Sequence, residues 1–351
     1  MAVIVAVGTD KGLFLLRAGD ARRDWRVEGP LFKGWKVTAF SRDGAGGWLA
    51  GTASFVYGAA IQHSRDLKDW KQVEHGPAYP PDGKHKLTQI WRLVSSDGAC
   101  YAGVAEAGLF RSEDHGETWR PVRGLNEHRT RDAWQPGAGG LCAHSILIDP
   151  QNARRMWCGI SAVGVFRSDD GGESWQARND GVPVILEDKD HQDIGFCVHA
   201  LAPDPHDADV IFRQDHRGMF RSRDGGDRWE RIENGLPSGF GFPLCIDRNT
   251  KALYAVPLES DEYRMPRDGA LRVCRSTDGG DSWHALSAGL PQEHAYAGVL
   301  RTSMAVDNLQ PGGVYFGTTG GEVFTSSDGG DSWTALPSRF PRIHCVEAFA
   351  D

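Results

Sequence analysis

The sequence predicts an all-β fold, a single seven-bladed β-propeller, from one repeated phrase, its even spacing and the strand-like segments between its copies. The phrase has the form Ser-x-Asp-x-Gly-x-Ser/Thr-Trp and occurs at residues 112–119, 168–175, 222–229, 276–283 and 326–333, with Arg228 replacing the hydroxyl residue in the third copy. Its five Trp residues lie 56, 54, 54 and 50 positions apart. A period of this size marks a repeat architecture in which each repeat is one supersecondary unit.

Each copy of the phrase is predicted to form the turn of a β-hairpin. It follows a short apolar run such as residues 164–167, and it ends in a Trp that can bury a large ring. The Ser and Asp side chains can bind the turn backbone, and the Gly adopts a conformation that other residues resist. The phrase resembles the Asp-box, or BNR repeat, of sialidases and related β-propellers. That resemblance implies structural hairpins on the face opposite the ligand site.

The segments between the boxes are predicted to supply the other strands of each blade. First strands are predicted to end at Asp43, Asp97, Asp149, Asp204, Asp247 and Asp307. A shortened box at residues 64–70 completes the earliest of six four-stranded units. Residues 3–8, 12–17 and 25–27 supply three more strands, and residues 343–349 supply a fourth. Pairing of the two chain ends makes a seventh blade without an open sheet edge, so one domain is predicted over residues 1–351.

The composition argues against some kinds of partner and favours one cellular compartment. The net charge is −8, and Lys and Arg form no dense run, so no nucleic-acid partner is predicted. No apolar stretch is long enough for a membrane span, and the first one, residues 2–7, is shorter than a signal peptide. The seven Cys residues fall mostly within predicted strands. An odd number of such residues favours reduced thiols and a cytoplasmic location.

Long loops mark the face opposite the boxes as the predicted ligand face. They cover residues 76–86, 125–134, 182–193 and 258–268. Long loops on a rigid scaffold are where binding and chemistry concentrate.

The candidate site residues lie in or beside the predicted first strands and these loops. His144 and His199 each stand five positions before the Asp that ends their strand, so they are expected at similar depth on adjacent blades. The remaining candidates are His344 on the closing strand, Arg92 and Arg301 on first strands, Glu106 in a second-to-third-strand loop, and Tyr263 beside Glu259 and Glu262.

Three interpretations of these residues remain open. The repeated His residues can be packing residues of the blades. They can also be metal ligands, with His144, His199 and His344 binding a divalent transition metal. The third interpretation is metal-free chemistry, in which His144, His199, Glu106 and Tyr263 act as acids, bases or nucleophile while Arg92 and Arg301 hold an anion.

The resemblance to Asp-box proteins specifies the fold more closely than the activity. Arg92, Arg301 and Arg342 could imitate the sialidase Arg triad, but the Arg-Ile-Pro motif is absent and seven blades are predicted instead of six. Xyloglucanase-type relatives use two propellers, whereas one is predicted here. Other relatives bind proteins without catalysis. We therefore predict a hydrolase or lyase acting on a small polar or anionic, glycan-type substrate, with a non-catalytic scaffold for a protein partner as the alternative.

Overall fold

A computed structural model describes residues 2–350 of the chain, and the all-β prediction is confirmed. Within these residues there are 28 strands, one α-helix of a single turn, α1 (Arg123–Asn126), and two 3-10 turns, Arg131–Ala133 and Arg267–Gly269. The described chain forms two compact units. The first unit contains residues 2–34, 202–223 and 230–350, and the second contains residues 35–201 and 224–229. No helix within residues 2–350 is long and apolar enough to cross a bilayer.

The second unit contains three four-stranded antiparallel sheets. Their strands are β4 (Lys36–Arg42), β5 (Trp48–Ser54), β6 (Gly58–Ser64) and β7 (Trp70–Gln72); β8 (Gln89–Ser96), β9 (Ala99–Ala105), β10 (Gly108–Ser112) and β11 (Arg120–Pro121); and β12 (Ala143–Asp149), β13 (Asn152–Ile160), β14 (Gly164–Ser168) and β15 (Gln176–Ala177). In each sheet the strands lie side by side in chain order.

The first unit contains two further four-stranded sheets and one sheet of eight strands. The four-stranded sheets are β16 (Ala200–Pro203), β17 (Ile211–Gln214), β18 (Met219–Ser222) and β19 (Glu230–Arg231); and β20 (Gly241–Ile246), β21 (Leu253–Pro257), β22 (Val273–Ser276) and β23 (His284–Leu286). The eight-stranded sheet contains β1 (Ala2–Thr9), β2 (Gly12–Gly19), β3 (Arg26–Leu31), β24 (Val299–Val306), β25 (Val314–Thr318), β26 (Val323–Ser326), β27 (Thr334–Ala335) and β28 (Ile343–Ala350). The chain enters the first unit within β16.

The last strand of the described chain pairs with the first. β28 runs antiparallel to β1, from Val3 opposite Ala350 to Thr9 opposite Ile343. A single parallel bridge, Thr302 to Cys345, joins β28 to β24. The eight-stranded sheet is therefore two four-stranded groups, β28-β1-β2-β3 and β24 to β27, that meet at one bridge.

Burial follows the apolar pattern of the strands. The second strands β1, β9, β21 and β25 are almost continuous apolar runs, and they are buried along nearly their whole length. Such runs suit strands that are covered on both faces. The fourth strands β11, β19 and β27 are exposed and only two residues long. Short edge strands offer little unpaired backbone to other chains.

The predicted first strands end where the sequence placed their ends, but one begins later. β4, β8, β20 and β24 stop one residue before the predicted Asp, and β12 ends on Asp149. His199 was expected within the strand that ends before Asp204, yet β16 begins at Ala200. Its partner β17 has only four residues, so residues 196–199 have no opposing strand. His199 therefore precedes its strand, whereas His144 lies inside β12.

Side chains of the box close each hairpin turn. In the second copy Ser168 Oγ donates to Asp170 Oδ1 at 2.8 Å, and it accepts the backbone N–H of Gly172 at 2.8 Å. Asp170 also accepts the backbone N–H and the hydroxyl of Ser174. The third copy keeps the backbone bond, Arg228 N to Asp224 Oδ1 at 2.9 Å, but its seventh side chain has no hydroxyl to donate.

Three of the four arginines that directly precede a box reach the following box. Each guanidinium binds both a Gly carbonyl and an Asp carboxylate there: Arg167 binds Gly225 and Asp227 at 3.1 and 3.0 Å, Arg221 binds Gly279 and Asp281 at 2.6 and 2.8 Å, and Arg275 binds Gly329 and Asp331 at 2.8 and 2.7 Å. The boxes therefore have a structural use, in linking consecutive hairpins.

Candidate functional site

His144 and His199 both lie in the second unit and are both buried. The His144 ring makes hydrogen-bond contacts through both nitrogens, Nδ1 with Ser145 Oγ at 3.1 Å and Nε2 with the Val198 carbonyl at 2.9 Å. Its ring also meets Trp91 edge-on, with centroids 6.5 Å apart. The carbonyl contact brings His144 against the segment that carries His199. His144 therefore packs between β12 and the approach to β16.

Glu106 contacts a histidine in the second unit. Its Oε2 is 3.1 Å from His85 Nδ1, and its backbone carbonyl accepts the Tyr79 hydroxyl at 2.6 Å. Burial raises the pKa of Tyr79 to about 12. Nearby Arg131 is buried, and its guanidinium donates to the Ala107 carbonyl at 2.7 Å, while burial lowers its pKa. Glu106 thus stands partly exposed above a tyrosine that stays protonated at neutral pH.

Two further candidates, Arg92 and His344, lie on β-strands away from the His144 and Glu106 contacts. Arg92 is a half-buried residue of β8, next to Trp91. His344 is on β28 in the first unit, and its Nε2 is 2.7 Å from Asp10 Oδ1. A metal bound at His344 would have to share or displace that carboxylate. The proposed metal set of His144, His199 and His344 stays a prediction.

Arg301 lies in a group of charged and aromatic side chains of the first unit, here called the 216–301 cluster. Its members are His216, Phe240, Phe242, Asp261, Arg264 and Arg301. Arg301 on β24 places its guanidinium 4.9 Å from the centre of the Phe242 ring on β20, and Arg264 lies 5.8 Å from the same ring. Two cations therefore face one aromatic ring, an arrangement that the ring quadrupole favours.

A His–Asp pair stands at the other end of this cluster. His216 Nε2 is 2.8 Å from Asp261 Oδ2, and the imidazole meets the Phe240 ring edge-on at 5.4 Å. Phe240 in turn meets Phe242 edge-on at 5.3 Å. The hydrogen bond with His216 lowers the pKa of Asp261, so this carboxylate is ionised at neutral pH. An ionised carboxylate bound to one ring nitrogen orients an imidazole for proton transfer at the other.

Buried polar contacts hold the turn that carries His216. Arg213 and Asp215 are both fully buried, and the guanidinium binds Asp215 Oδ2 at 2.9 and 2.8 Å. Asp215 Oδ1 also accepts the backbone N–H of Arg217 at 2.9 Å. Gln214 donates to the carbonyls of Asp215, Gly218 and Gly239. These bonds fix the backbone on both sides of His216.

The loop after β21 supplies the opposite side of the cluster. Its ends are joined by the Glu259 N–H to Met265 carbonyl bond at 2.8 Å. Within it, Arg264 Nε donates to the Asp261 carbonyl at 2.9 Å. Tyr263 is half exposed at the tip of this loop, and its backbone N–H donates to Ser260 Oγ at 3.2 Å. The structure therefore puts the candidates Arg301 and Tyr263 in the same part of the first unit.

Sequence reasoning missed the pairing that gives this cluster its chemistry. His216 and Asp261 are 45 residues apart and belong to different repeats. The available signal was the carboxylate-rich long loop at residues 258–268, which no other repeat has at this position.

Comparisons with known proteins agree with the box pattern. A protein-family model described as BNR/Asp-box repeat matches residues 166–177. An oligoxyloglucan-reducing end-specific xyloglucanase of Emericella nidulans is 24% identical over 223 residues, which are 53% of this chain and 25% of that protein. The match thus spans about a quarter of the curated relative.

Two solved structures have a similar fold at low identity. A crystal structure of an ancestral GH74 enzyme has a TM-score of 0.55 at 15% identity, covering 86% of this chain and 38% of that chain. YCF48 bound to D1 peptide has a TM-score of 0.56 at 13% identity, covering 87% and 84%. The chain therefore carries the BNR/Asp-box repeat within an all-β fold similar to those of the GH74 and YCF48 structures.

Proposed function

We propose that the chain is a hydrolase or lyase, that its acid–base centre is the 216–301 cluster, and that its substrate is a small anionic, glycan-type molecule. The observation that carries the proposal is the 2.8 Å contact between His216 Nε2 and Asp261 Oδ2. Asp261 orients the imidazole of His216, which accepts a proton from the substrate and returns it to the leaving group or to water. Positioned proton transfer of this kind contributes about 10²- to 10⁴-fold to a rate.

The two guanidinium groups favour a negatively charged substrate. Arg264 and Arg301 both face Phe242, and Arg side chains bind carboxylates with two parallel hydrogen bonds. The rings of Phe240 and Phe242 offer an apolar wall for the carbon face of a sugar. Tyr263, on the loop that carries Asp261, is in reach of the same region and contacts the substrate in this proposal.

The xyloglucanase similarity supports a glycan-type substrate, and the charge of the cluster supports an acidic sugar. Neutral xyloglucan oligosaccharides and oligosaccharides containing uronic acid would be incubated with the protein. Reducing-end release measures hydrolysis, and the ultraviolet absorbance of an unsaturated product measures elimination. We expect turnover of the acidic substrates. His216→Asn and Asp261→Asn should each lower kcat by about 10²-fold or more.

His284→Asn is the matched control, because His284 is an exposed histidine of the same unit outside the cluster. It should keep the full rate. Activity that survives in His216→Asn would contradict the assignment of the base, and a lack of turnover on both substrate classes would contradict the enzyme proposal.

A second candidate function is binding of a peptide segment without catalysis. It is favoured by the similarity to YCF48 bound to D1 peptide, which covers 84% of that chain. A protein partner would use the half-exposed Tyr263 and the aromatic rings beside it. This reading predicts that Tyr263→Ala abolishes capture of a peptide while His216→Asn leaves the capture intact.

The number of blades and the closure of the ring are also part of the proposal. The four-stranded groups number seven when the eight-stranded sheet is counted as two. We propose that they are the seven blades of one propeller, and that the pairing of β28 with β1 completes the last blade.

A further inference from the structure

Exposed apolar side chains are concentrated in two places of the second unit. Eight large hydrophobic residues within residues 2–350 are exposed, and five of them lie in these two places: Phe55, Val56 and Tyr57 at the β5–β6 turn, and Val184 and Leu186 in the segment 182–196. Contiguous exposed apolar side chains commonly mark interaction sites. The first is a protruding hairpin tip, and the second lines a cavity.

The convex place is the tip of the β5–β6 hairpin, residues 55–57. The hairpin is paired up to Ser54 opposite Gly58, so only these three residues project beyond the ladder. Ser54 Oγ accepts the backbone N–H groups of Val56 and Tyr57 at 3.2 and 3.3 Å. The Tyr57 ring stacks on Trp35, with centroids 5.9 Å apart and planes 10° apart. These contacts restrain the backbone of the tip and the Tyr57 ring, which lowers the entropy lost on association.

The concave place is a cavity of about 560 Å³ formed by the segment 182–196. Its apolar lining is Val182, Val184, Ile194 and Phe196, and its polar lining is Glu187, Asp188, Lys189 and Gln192.

Backbone bonds keep this cavity open. The N–H groups of Ile185 and Leu186 both donate to the Gly195 carbonyl at 2.9 Å, and the Gly195 N–H donates to Val163 at 3.1 Å. A Cβ at residue 195 would stand 1.8 Å from the Leu186 carbonyl oxygen, so this close approach requires glycine. Hydrogen bonds within the segment and to Val163 therefore shape the loop that lines the cavity.

The two places carry opposite charges. Lys36 is opposite Ala53 in the sheet, so it lies beside the base of the tip. The cavity is lined by Glu187 and Asp188 against one cation, Lys189. A positive flank on the tip and a net negative lining in the cavity favour their approach and set its orientation.

We propose that the tip at residues 55–57 of one molecule docks into the cavity at residues 182–196 of a second copy of this chain. Phe55 enters the apolar lining, and Lys36 approaches Glu187 and Asp188. Each copy has one tip and one cavity, so the contact closes as a reciprocal two-fold pair or extends head to tail. One three-residue tip buries less surface than a standard interface, so the dissociation constant is expected between about 1 µM and 1 mM. The proposal is independent of the proposed function.

Sedimentation of the full chain across about 1 µM to 1 mM tests the association. The wild-type protein should shift from monomer to larger species with concentration. Phe55→Asp and Val184→Asp should each weaken association by at least about tenfold, because each puts a charge into an apolar contact. Val27→Asp is the matched control, because Val27 is an exposed apolar residue of the first unit, and it should associate as the wild type does.

Mixing the two defective variants distinguishes this contact from any other. Phe55→Asp keeps an intact cavity and Val184→Asp keeps an intact tip, so an equimolar mixture should regain at least part of the association. Lys36→Glu and Glu187→Lys should each weaken it, and the protein with both changes should recover it. A wild-type protein that stays monomeric throughout, a Phe55→Asp protein that associates normally, or a mixture that stays monomeric overturns the proposal.

Discussion

Arg213 and Asp215 are fully buried charges that hold the turn of a candidate catalytic histidine. Burial raises the pKa of Asp215, although the adjacent Arg213 opposes that shift. Taking two charges out of water is expensive, and their attraction offsets it only while both partners are present. Replacement of either Arg213 or Asp215 is therefore expected to displace His216.

Replacement of Asp215 by Asn should destabilise the protein strongly. It leaves the Arg213 guanidinium buried without its counter-charge, which costs about 3–5 kcal/mol. Denaturant unfolding measures this loss. Asp281→Asn is the control, because Asp281 pairs with Arg221 but is itself mostly exposed, and it should cost less than about 1 kcal/mol. Equal effects of the two changes would refute the burial argument.

The box carboxylates should make stability depend on acid pH. Hydrogen bonds from Ser174 and Ser282 lower the pKa of Asp170 and Asp278 to about 2. The unfolded chain therefore binds more protons than the folded chain between about pH 4 and pH 2. This contribution is fully present above about pH 4 and is lost as pH falls through about 2. The melting temperatures of the wild type and of the Asp170→Asn, Asp278→Asn double variant should converge at low pH. A difference that stays constant with pH would contradict this role of the box carboxylates.

The Asp-box hairpin is the element that the sequence predicts most completely. Its Ser, Asp and Gly bind one another locally, within eight residues, so the pattern alone specifies the turn. The 216–301 cluster is different, because its contacts join the β17–β18 turn, two first strands and the loop after β21. No local pattern specifies such contacts, so the sequence supplied Arg301 and Tyr263 as candidates but neither the pair His216–Asp261 nor Arg264.

Two substitutions at the seventh position of a box, one in the third box and one in the second, should change the stability of the protein in opposite directions. Arg228→Ser would place a hydroxyl where the other boxes donate one to Asp Oδ2, and it should stabilise the protein by about 0.5–1 kcal/mol. Ser174→Ala removes that bond from the second box and should destabilise it by a similar amount. Thermal melts of both variants measure the two changes. A loss of stability in Arg228→Ser would show that Arg228 has another use.

Over the whole chain, the pairing of β28 with β1 is the feature on which the proposed ring depends. The sequence predicted this pairing because residues 3–17 lacked a first strand and residues 343–349 lacked the other three. What the repeat pattern could not predict is the bridge between Thr302 and Cys345, since it joins the edges of two groups that the pattern treats as separate.

Removal of residues 343–351 should therefore destabilise the first unit. Ile343, Cys345 and Val346 are almost fully buried, and each such apolar side chain contributes about 1.5–3 kcal/mol. Because whole domains are stable by only about 5–15 kcal/mol, the truncated chain should melt far lower or fail to fold. Circular dichroism and limited proteolysis measure the outcome. An unchanged melting temperature would exclude the seventh-blade proposal.

The distance along the chain between β1 and its last partner has a consequence for synthesis. Asp10 and His344, which bind each other, are separated by 334 residues. During translation β1 leaves the ribosome long before β28, so the edge of β1 that pairs with β28 stays unpaired until the residues between the two strands have been made. Two neighbouring nascent chains on one messenger RNA both expose this unpaired edge of β1. Slow elongation therefore gives the two copies of β1 more time to pair with each other instead of with β28.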